Sequence, residues 1–323
     1  MKIAITGANG FVGSNLIQHF QSCGHEVYAL VRPSAKLHLL SPGTNTVFTN
    51  FNDHASLLLA FSGMDVVIHN AGKTKALNHA EMMQANHGIT QNIVRAINET
   101  ESKPQLIYLS SQAASKPSYN NIPVKESDAE NPLTSYGESK LAAERAIREQ
   151  CQTHFTIIRP CSVYGGGDRD FLNLFKMVKR GFSFQIGAVD KYLNMIHVSE
   201  LAAFINLCLQ NSAAYEEIFF ATDGQTYRQS DIMHAITSAL HKKPIQIIIP
   251  NAIAKVVFYV GDAYGRLFKR NVIVNREKMK EIMAESWLAD PAKAKQILGW
   301  NPLPQLQLHI METAACYHAS AWL

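Results

Sequence analysis

Short apolar runs alternate with amphipathic stretches through the first half of the chain. Runs typical of buried parallel strands cover residues 2–6, 26–31, 46–50, 66–69, 105–110 and 155–159. Stretches with helical periodicity lie between them, at 14–22, 54–61, 80–99 and 136–150. Strands that alternate with helices form parallel βαβ units. The pattern therefore predicts an α/β fold built on a doubly wound parallel sheet.

The alternation loosens after the glycine run at 165–167. Helical patterns follow at 171–180, 199–211, 251–268, 276–284 and 291–298, and one β-branched run at 245–249 predicts a strand. We see no internal repeat, low-complexity tract or long linker. We therefore predict a sheet domain of residues 1–165 with about 195–224, and a smaller, mainly helical lobe of about 166–194 with 225–323.

The composition is that of an ordinary globular protein. The chain has 323 residues, of which 47% are hydrophobic and 17% charged, so it can bury a large core. Its 30 basic and 26 acidic side chains give a net charge of +4, which is too small to indicate a nucleic-acid partner. The five cysteines are scattered and show no Cys-x-x-Cys spacing. That usage favours a reducing cytoplasm and predicts no metal site.

Targeting and membrane signals are weak. The N-terminus enters a strand directly, without the pattern of a signal peptide. A membrane-spanning helix needs about 18 apolar residues. The nearest stretch is 253–260, which Asp262 closes, and we interpret it as a core helix rather than a site of peripheral membrane contact. We therefore expect a cytoplasmic protein with no integral membrane span.

Three glycines follow the first strand at a spacing of three: Gly7, Gly10 and Gly13. A strand that turns sharply into a helix directs free backbone N–H groups and the positive end of the helix dipole at one point, which suits a pyrophosphate. Glycines there permit the tight turn and a close approach of phosphate to backbone. The spacing is one residue longer between the first two glycines than in the common dinucleotide motif.

Tyr136 and Lys140 lie four residues apart in a predicted helix, so they share one face. A free tyrosine has a pKa of about 10 and is a poor base at neutral pH. A nearby lysine cation favours the phenolate and should lower that pKa. The pair is a candidate proton relay, and the glycine loop indicates that it acts together with a ligand that carries a pyrophosphate.

Taken together, these motifs make the chain resemble the extended short-chain dehydrogenase/reductase family of nicotinamide-dependent epimerases, dehydratases and reductases. The matching segments run in order along the chain: TGANGFVG (6–13), DVVIHNAG (65–72), LSSQAA (109–114), PLTSYGESKLAAE (132–144), IRP (158–160), VYG (163–165), HVSEL (197–201) and LGWNP (298–302). Each segment is unspecific alone, but their order is specific. The resemblance implies a Rossmann dinucleotide-binding domain with a substrate-binding lobe.

The resemblance also implies roles for individual residues. Tyr136 is then the acid and base on the reacting oxygen, while Lys140 lowers the tyrosine pKa and holds the nicotinamide ribose. Ser111 hydrogen-bonds the substrate oxygen, and Ser110 is structural or near the cofactor. Asn86 matches a family position tied to active-site backbone or water, although a plain polar helix residue would look the same.

The cofactor residues that the resemblance implies are Gly7, Gly10, Phe11, Val12, Gly13, Arg32, Asn50, Phe51, Ala71, Gly72, Tyr136, Lys140 and Pro160. NAD enzymes usually carry a carboxylate after the second strand, about 20 residues beyond the glycines. This chain has Arg32 instead, and a guanidinium suits a 2′-phosphate. We therefore expect NADP in preference to NAD; the alternative is an arginine stacked on the adenine of NAD.

Three reactions are typical of such relatives. Dehydratases carry an acidic pair after the active-site Ser, where this chain has Gln112 and Ala113, which argues against dehydration. The tail at 313–323 resembles that of hydroxysteroid and dihydroflavonol-type reductases. We therefore expect an oxidoreductase that interconverts a secondary alcohol and a ketone on a small apolar substrate. The alternatives are a nucleotide-sugar epimerase that retains NAD and a non-catalytic NAD(P) sensor.

Substrate and partner predictions are coarser. The candidates for substrate contact are Lys73, Thr74, Ser162, Tyr164 and Asn194. Family members often dimerise through the tyrosine-bearing helix and the one before it, so we expect a homodimer.

Overall fold

Parallel strands with apolar side chains on both faces form the centre of the structure, a computed structural model that describes residues 1–268, 270, 272 and 274–323. The strands are β1 (Lys2–Thr6), β2 (Glu26–Val31), β3 (Asn45–Phe48), β4 (Val66–His69), β5 (Gln105–Leu109), β6 (Phe155–Pro160), β7 (Ser162–Tyr164), β8 (Phe182–Ile186), β9 (Tyr192–Leu193), β10 (Met195–His197), β11 (Glu217–Ala221), β12 (Tyr227–Arg228) and β13 (Ile245–Ile249). Seven of them form one parallel sheet in the order β11-β6-β5-β4-β1-β2-β3.

Helices cover both faces of this sheet and build the rest of the molecule. They are α1 (Phe11–Ser22), α2 (His54–Phe61), α3 (His79–Met83), α4 (Ile89–Glu99), α5 (Ser135–Gln150), α6 (Arg169–Lys179), α7 (Val198–Cys208), α8 (Gln229–Ala239), α9 (Asn251–Leu267), α10 (Arg276–Met283), α11 (Ala292–Leu298) and α12 (Leu306–Ala319). Among the described residues, no helix is both long and apolar enough to cross a membrane.

The alternation of side chains along β1 shows how the two faces are covered. Ile3 and Ile5 pack with residues of α1 and α7 on one face. Ala4 points to the other face, where α2, α4 and α5 supply the apolar partners. Residues buried on both faces are what a parallel sheet between two helical layers requires. The predicted α/β, doubly wound fold is confirmed.

Several predicted elements differ from the structure. The helix expected at 14–22 begins at Phe11, since Gly10 is already its N-cap. The strand expected at 46–50 covers Asn45–Phe48. The helix expected over 80–99 is divided by a π-helical turn at Gln84–Gly88. The sequence reading missed β11, which pairs with β6 and brings the chain back to the edge of the sheet.

The predicted lobe has an apolar cluster of its own, to which α6, α8 and α12 contribute Phe175, Ile236 and Tyr317. Outside the main sheet the strands pair two by two: β7 with β10, β8 with β13 and β9 with β12. The division of the chain into two domains stays a prediction.

Candidate active site

The carboxyl ends of six neighbouring strands carry most of the predicted site residues. In sheet order, Asn50 and Phe51 come after β3, Arg32 after β2, Gly7 after β1, Ala71 and Gly72 after β4, Ser111 after β5, and Pro160 ends β6. The chain reverses its direction across the sheet between β1 and β4. Ligands of open parallel sheets bind at such a switch point. The topology thus collects these residues along one edge.

The glycine loop between β1 and α1 is built for close approach. Gly7 has a φ of +66°, and a Cβ there would stand 2.8 Å from the Cα of Ala71. A Cβ on Gly13 would stand 2.3 Å from the Gly7 carbonyl oxygen. Gly10 caps α1 without a side chain, and Phe11 and Val12 line the cleft. The backbone N–H groups at the start of α1 therefore suit the pyrophosphate of a dinucleotide.

Tyr136 and Lys140 are held by the first two turns of α5. Thr134 caps this helix, its side chain accepting a hydrogen bond from the Gly137 N–H at 3.1 Å. The Lys140 Nζ donates to the Leu109 carbonyl at 2.6 Å and lies 4.3 Å from the centre of the Tyr108 ring. Lys140 is thus fixed against the end of β5, while the partly exposed Tyr136 lines the cleft.

The pKa values of this pair shift in opposite directions. Burial raises the pKa of Tyr136 to about 12; hydrogen bonding with Ser111 opposes the rise and the Glu281 carboxylate adds to it. Burial lowers the pKa of Lys140 to about 7, against the influence of Glu144. The phenol pKa thus moves opposite to the direction that the sequence predicts. The reason is that burial of the phenol dominates, while the Lys140 ammonium is engaged by Leu109 and Tyr108.

Asn86, in the π-helical turn, connects the loop after β4 to α5. It is 1% exposed. Its Oδ1 accepts from the Lys73 N–H at 2.7 Å, and its Nδ2 donates to the Lys73 carbonyl at 3.0 Å and to the Ser139 hydroxyl at 2.8 Å. This arrangement fits the role in holding active-site backbone that the resemblance implies.

The sequence reading missed a buried ion pair behind the site. Arg159 on β6 and Glu144 on α5 are both fully buried, and their closest nitrogen–oxygen distance is 2.6 Å. The Ser110 hydroxyl donates to the same carboxylate, which gives Ser110 a structural contact. A charged residue inside the apolar run 155–160 was the available signal, because a charge in a buried strand requires a partner.

The substrate candidates divide into two groups. Lys73, Thr74 and Ser162 line the cleft. Tyr164 is 1% exposed and packs in the apolar cluster of the predicted lobe. Asn194 is buried too; its Nδ2 donates to the Gln225 carbonyl and its Oδ1 accepts from the Ala289 N–H. The structure does not bring these last two to the cleft wall.

The cleft has a volume of about 1340 Å³ and runs from the glycine loop to α9 and α10. Its far wall is charged, which the prediction of a small apolar substrate did not lead us to expect. Asp262, Arg266, Glu277, Lys278 and Glu281 line this wall. Most of the large apolar side chains of α9 point outward instead. Which side of α9 faces the cleft depends on tertiary packing, and the sequence pattern alone does not give it.

The proposed 2′-phosphate region lies in the loop after β2. Arg32 and Lys36 are both exposed there. The Asn9 side chain of the glycine loop donates to the Lys36 carbonyl at 3.1 Å. Asn50 is exposed as well, and its Oδ1 accepts from the Asn52 N–H. Two cationic side chains thus stand on a loop that is tied to the phosphate-binding turn.

A second group of titratable side chains surrounds His197. Its ring stacks on His309 with centroids 4.4 Å apart, and with Glu312 these residues bring three possible metal ligands within 4.8 Å. The sequence reading found no such grouping, because the two histidines are distant in the chain. Ring nitrogens bind metals in the plane of the ring. Two stacked rings are therefore poorly arranged to share one ion.

Known proteins match this chain in sequence and in fold. The family model described as "NAD dependent epimerase/dehydratase family" matches residues 3–219. The chain is 24% identical to a UDP-glucose 4-epimerase of Vibrio cholerae over 98% of this chain and 95% of that protein. It is 26% identical to a ceramide reductase of Caulobacter vibrioides over 99% and 96%. The structure of a Thermus thermophilus UDP-glucose 4-epimerase in complex with NAD superposes with a TM-score of 0.78 at 18% identity, over 99% and 100% of the two chains.

Proposed function

Since the chain belongs to the NAD dependent epimerase/dehydratase family, we propose that it is an NAD(P)-dependent oxidoreductase that interconverts a secondary alcohol and a ketone. Relatives in this family are NAD(P)-dependent epimerases, dehydrogenases and reductases. One observation carries the proposal. Ser111, Tyr136 and Lys140 meet where β5 and α5 border the cleft, beside the glycine loop.

The residues divide the chemistry between them. The bound nicotinamide supplies or accepts the hydride at the carbon. Tyr136 gives a proton to the ketone oxygen during reduction and takes it from the alcohol during oxidation, while the Ser111 hydroxyl hydrogen-bonds the same oxygen. The pKa of the Tyr136 phenol, which burial raises to about 12, lies well above neutral pH, so the phenol is protonated, which is the state that reduction needs. Lys140 holds its ammonium at the Leu109 carbonyl, next to the end of β5.

The charged far wall modifies the expected substrate. Arg266 and Lys278 reach the cleft together with Glu277 and Glu281. A wall of this kind favours a substrate with polar groups near its reacting carbon over a wholly apolar one. Gln112, which is buried, stands where dehydratases of the family carry an acidic residue, which supports hydride transfer without dehydration.

Tyr136→Phe tests the proposal most directly. The variant should lose at least about 100-fold in kcat/KM against a panel of ketones and secondary alcohols, because the proton donor is gone. Cofactor affinity, measured by fluorescence titration, should stay within about twofold, since the ring remains. The matched control is Tyr119→Phe, at a tyrosine that is 54% exposed. Turnover retained by Tyr136→Phe would exclude the assignment.

We also propose NADP as the preferred cofactor, on the strength of Arg32 and Lys36 in the loop after β2. Arg32→Ala should weaken NADP binding by at least about tenfold, because a charge-assisted phosphate contact is lost, and should leave NAD binding nearly unchanged. Isothermal titration with both nucleotides measures the difference. The matched control is the exposed Arg95→Ala on α4. Equal losses for NADP and NAD would instead favour stacking of Arg32 on adenine.

A nucleotide-sugar epimerase is the second candidate, and the cationic residues of the cleft wall favour it. An epimerase regenerates its own cofactor, so purified protein should retain a nucleotide that does not exchange with added NAD(P). A dehydrogenase should exchange it freely. Tight cofactor binding without turnover on any carbonyl compound would support the third reading, a sensor.

A further inference from the structure

Helix α9 leaves an apolar stripe uncovered. Its members recur at intervals of three and four residues, so they lie along one side of the helix. They are each between 44% and 76% exposed: Ile253, Val256, Val257, Val260, Tyr264 and Leu267. We refer to these six residues as the α9 stripe. The prediction that 253–260 is a core helix is therefore wrong for most of its apolar side chains.

The inward side of α9 is already packed. Ala254, Phe258 and Gly265 are its buried residues. A Cβ on Gly261 would stand 2.2 Å from the Val274 carbonyl oxygen, and one on Gly265 would stand 2.8 Å from the Val272 side chain. The α9 stripe is thus not a core face that failed to pack, because the helix docks through its opposite side.

Apolar exposure is concentrated in this part of the chain. Of the 26 large hydrophobic side chains exposed among the described residues, eleven lie in residues 245–268. Besides the α9 stripe they include Ile245 and Ile247 of β13, which pair with the exposed Phe182 and Phe184 of β8. Single exposed apolar residues are normal, whereas a contiguous group marks a docking surface.

A longer segment around these residues carries an excess of positive charge. Residues 241–273 contain six Lys or Arg and one Asp, whereas the whole chain carries a net charge of only +4. Lys242 and Lys243 precede β13, Lys255 lies on α9, and all three are exposed. The single acid, Asp262, is bridged by Arg266 at 3.0 Å and Arg276 at 3.2 Å. Arg266 and Arg270 line the cleft, so among the described residues Lys242, Lys243 and Lys255 are the cations that this segment offers to an anionic surface.

We propose that the α9 stripe docks the protein on an anionic phospholipid bilayer. An amphipathic helix with a basic surround lies in the plane of the interface and inserts its apolar side among the acyl chains. Basic side chains near an anionic surface add electrostatic attraction. Tyr264 and Phe268, whose rings lie 4.6 Å apart, place an aromatic pair at one end of the helix, as interfacial segments commonly do.

Docking in this way would place α9 between the bilayer and the cleft. Asp262, Gly265 and Arg266 line the cleft from the side of α9 that faces away from the α9 stripe. The proposal concerns a surface and not the reaction, so it stands or falls separately from the proposed hydride transfer. The Tyr136→Phe variant should bind vesicles as the unmodified protein does.

Vesicle sedimentation with the full chain tests the proposal. The protein should bind vesicles of phosphatidylcholine with about 30% phosphatidylglycerol, and less strongly as salt is raised. Val256→Asp combined with Val260→Asp should lower the partition coefficient at least about tenfold, because two carboxylates replace inserted side chains. The matched control is Leu59→Asp on α2, a leucine that is 81% exposed, which should bind normally.

A second variant guards against misfolding of the first. Lys242→Gln with Lys243→Gln alters only exposed side chains and should weaken binding to anionic vesicles about tenfold or more. Absence of vesicle binding by the unmodified protein would overturn the proposal, as would an equal loss in Leu59→Asp. The proposal would also be overturned if the protein bound no vesicles and Val256→Asp/Val260→Asp changed its molar mass in light scattering. The α9 stripe would then contact a second copy of the chain.

Discussion

His69 is a buried, titratable residue that links three elements of the site. The Thr6 hydroxyl accepts a hydrogen bond from the Ala71 N–H. The hydroxyl proton is then free to be donated to Nδ1 of His69, 2.8 Å away. Nε2 of His69 then donates to the Thr90 hydroxyl at 2.9 Å, and Thr90 donates to the Asn86 carbonyl. The chain of donors assigns a neutral ring with its proton on Nε2. Burial, with a contribution from Lys140, lowers the pKa of His69 to about 3, in agreement.

This assignment predicts a pH dependence of stability. An unfolded histidine has a pKa of about 6.5, so below that pH the unfolded chain binds a proton that the folded protein refuses. The contribution of His69 is complete above pH 6.5 and is lost as the pH falls toward 3. At pH 5 the loss is about 2 kcal/mol.

The measurement compares urea unfolding of the unmodified protein and His69→Gln at pH 7.5 and pH 5. The difference in free energy of unfolding between the two should shrink by about 2 kcal/mol at the lower pH, because glutamine does not titrate. The exposed His234→Gln on α8 is the control. A difference that is the same at both pH values would show that the ring accepts a proton in the folded state.

The sequence predicted those site residues whose role depends on near neighbours in the chain. Tyr136 and Lys140 are four apart, and three glycines follow one strand, so spacing made them candidates and the family resemblance supplied their roles. Glu144 and Arg159 were missed because they meet only when α5 packs on β6. The raised pKa of the Tyr136 phenol was missed for a similar reason, since burial is a property of the assembled cleft.

Helices and strands were predictable where one periodicity continued without interruption. The bounds of β1, β2, β4 and α2 agree with the sequence prediction, since each is an uninterrupted pattern between turn residues. The helix over 80–99 failed in its middle, where a π-helical turn sets Asn86 toward Lys73 and Ser139. Such turns often occur at functional sites and leave no trace in hydrophobic periodicity.

Helix α9 shows what periodicity cannot decide. The sequence correctly predicted a helix here, yet most of its large apolar side chains face out of the molecule. Amphipathicity gives the orientation of a helix only if something apolar lies beneath it. Here Gly261 and Gly265 let the segment with Val272 and Val274 approach on the other side. The decisive information was thus in small residues rather than in large ones.

In the molecule as a whole, the C-terminal helix reaches back to the cleft. The Tyr317 hydroxyl on α12 donates to the Asp168 carbonyl at 2.6 Å. Asp170, two residues after Asp168, accepts a hydrogen bond from the Lys75 ammonium at 2.8 Å. Asp168, Asp170 and Lys75 all line the cleft. The buried Tyr317 therefore supports the segment whose Asp170 forms an ion pair with Lys75 at the cleft. The expected homodimer through α4 and α5 stays a prediction.

Tyr317 should accordingly contribute to both stability and catalysis. It is fully buried, so Tyr317→Ala should lower the free energy of unfolding by about 3–5 kcal/mol, through lost burial and the cavity left behind. Tyr317→Phe keeps the ring and removes the hydroxyl, which donates to the Asp168 carbonyl at 2.6 Å and approaches the Gly165 carbonyl at 3.4 Å; its loss should cost about 1 kcal/mol. Urea unfolding measures both, and Met311→Ala, at the exposed face of the same helix, should cost less than about 0.5 kcal/mol. If the hydroxyl positions the cleft loop, Tyr317→Phe should raise KM while leaving the unfolding transition cooperative. A loss no larger than that of Met311→Ala would instead show that α12 does not support the cleft.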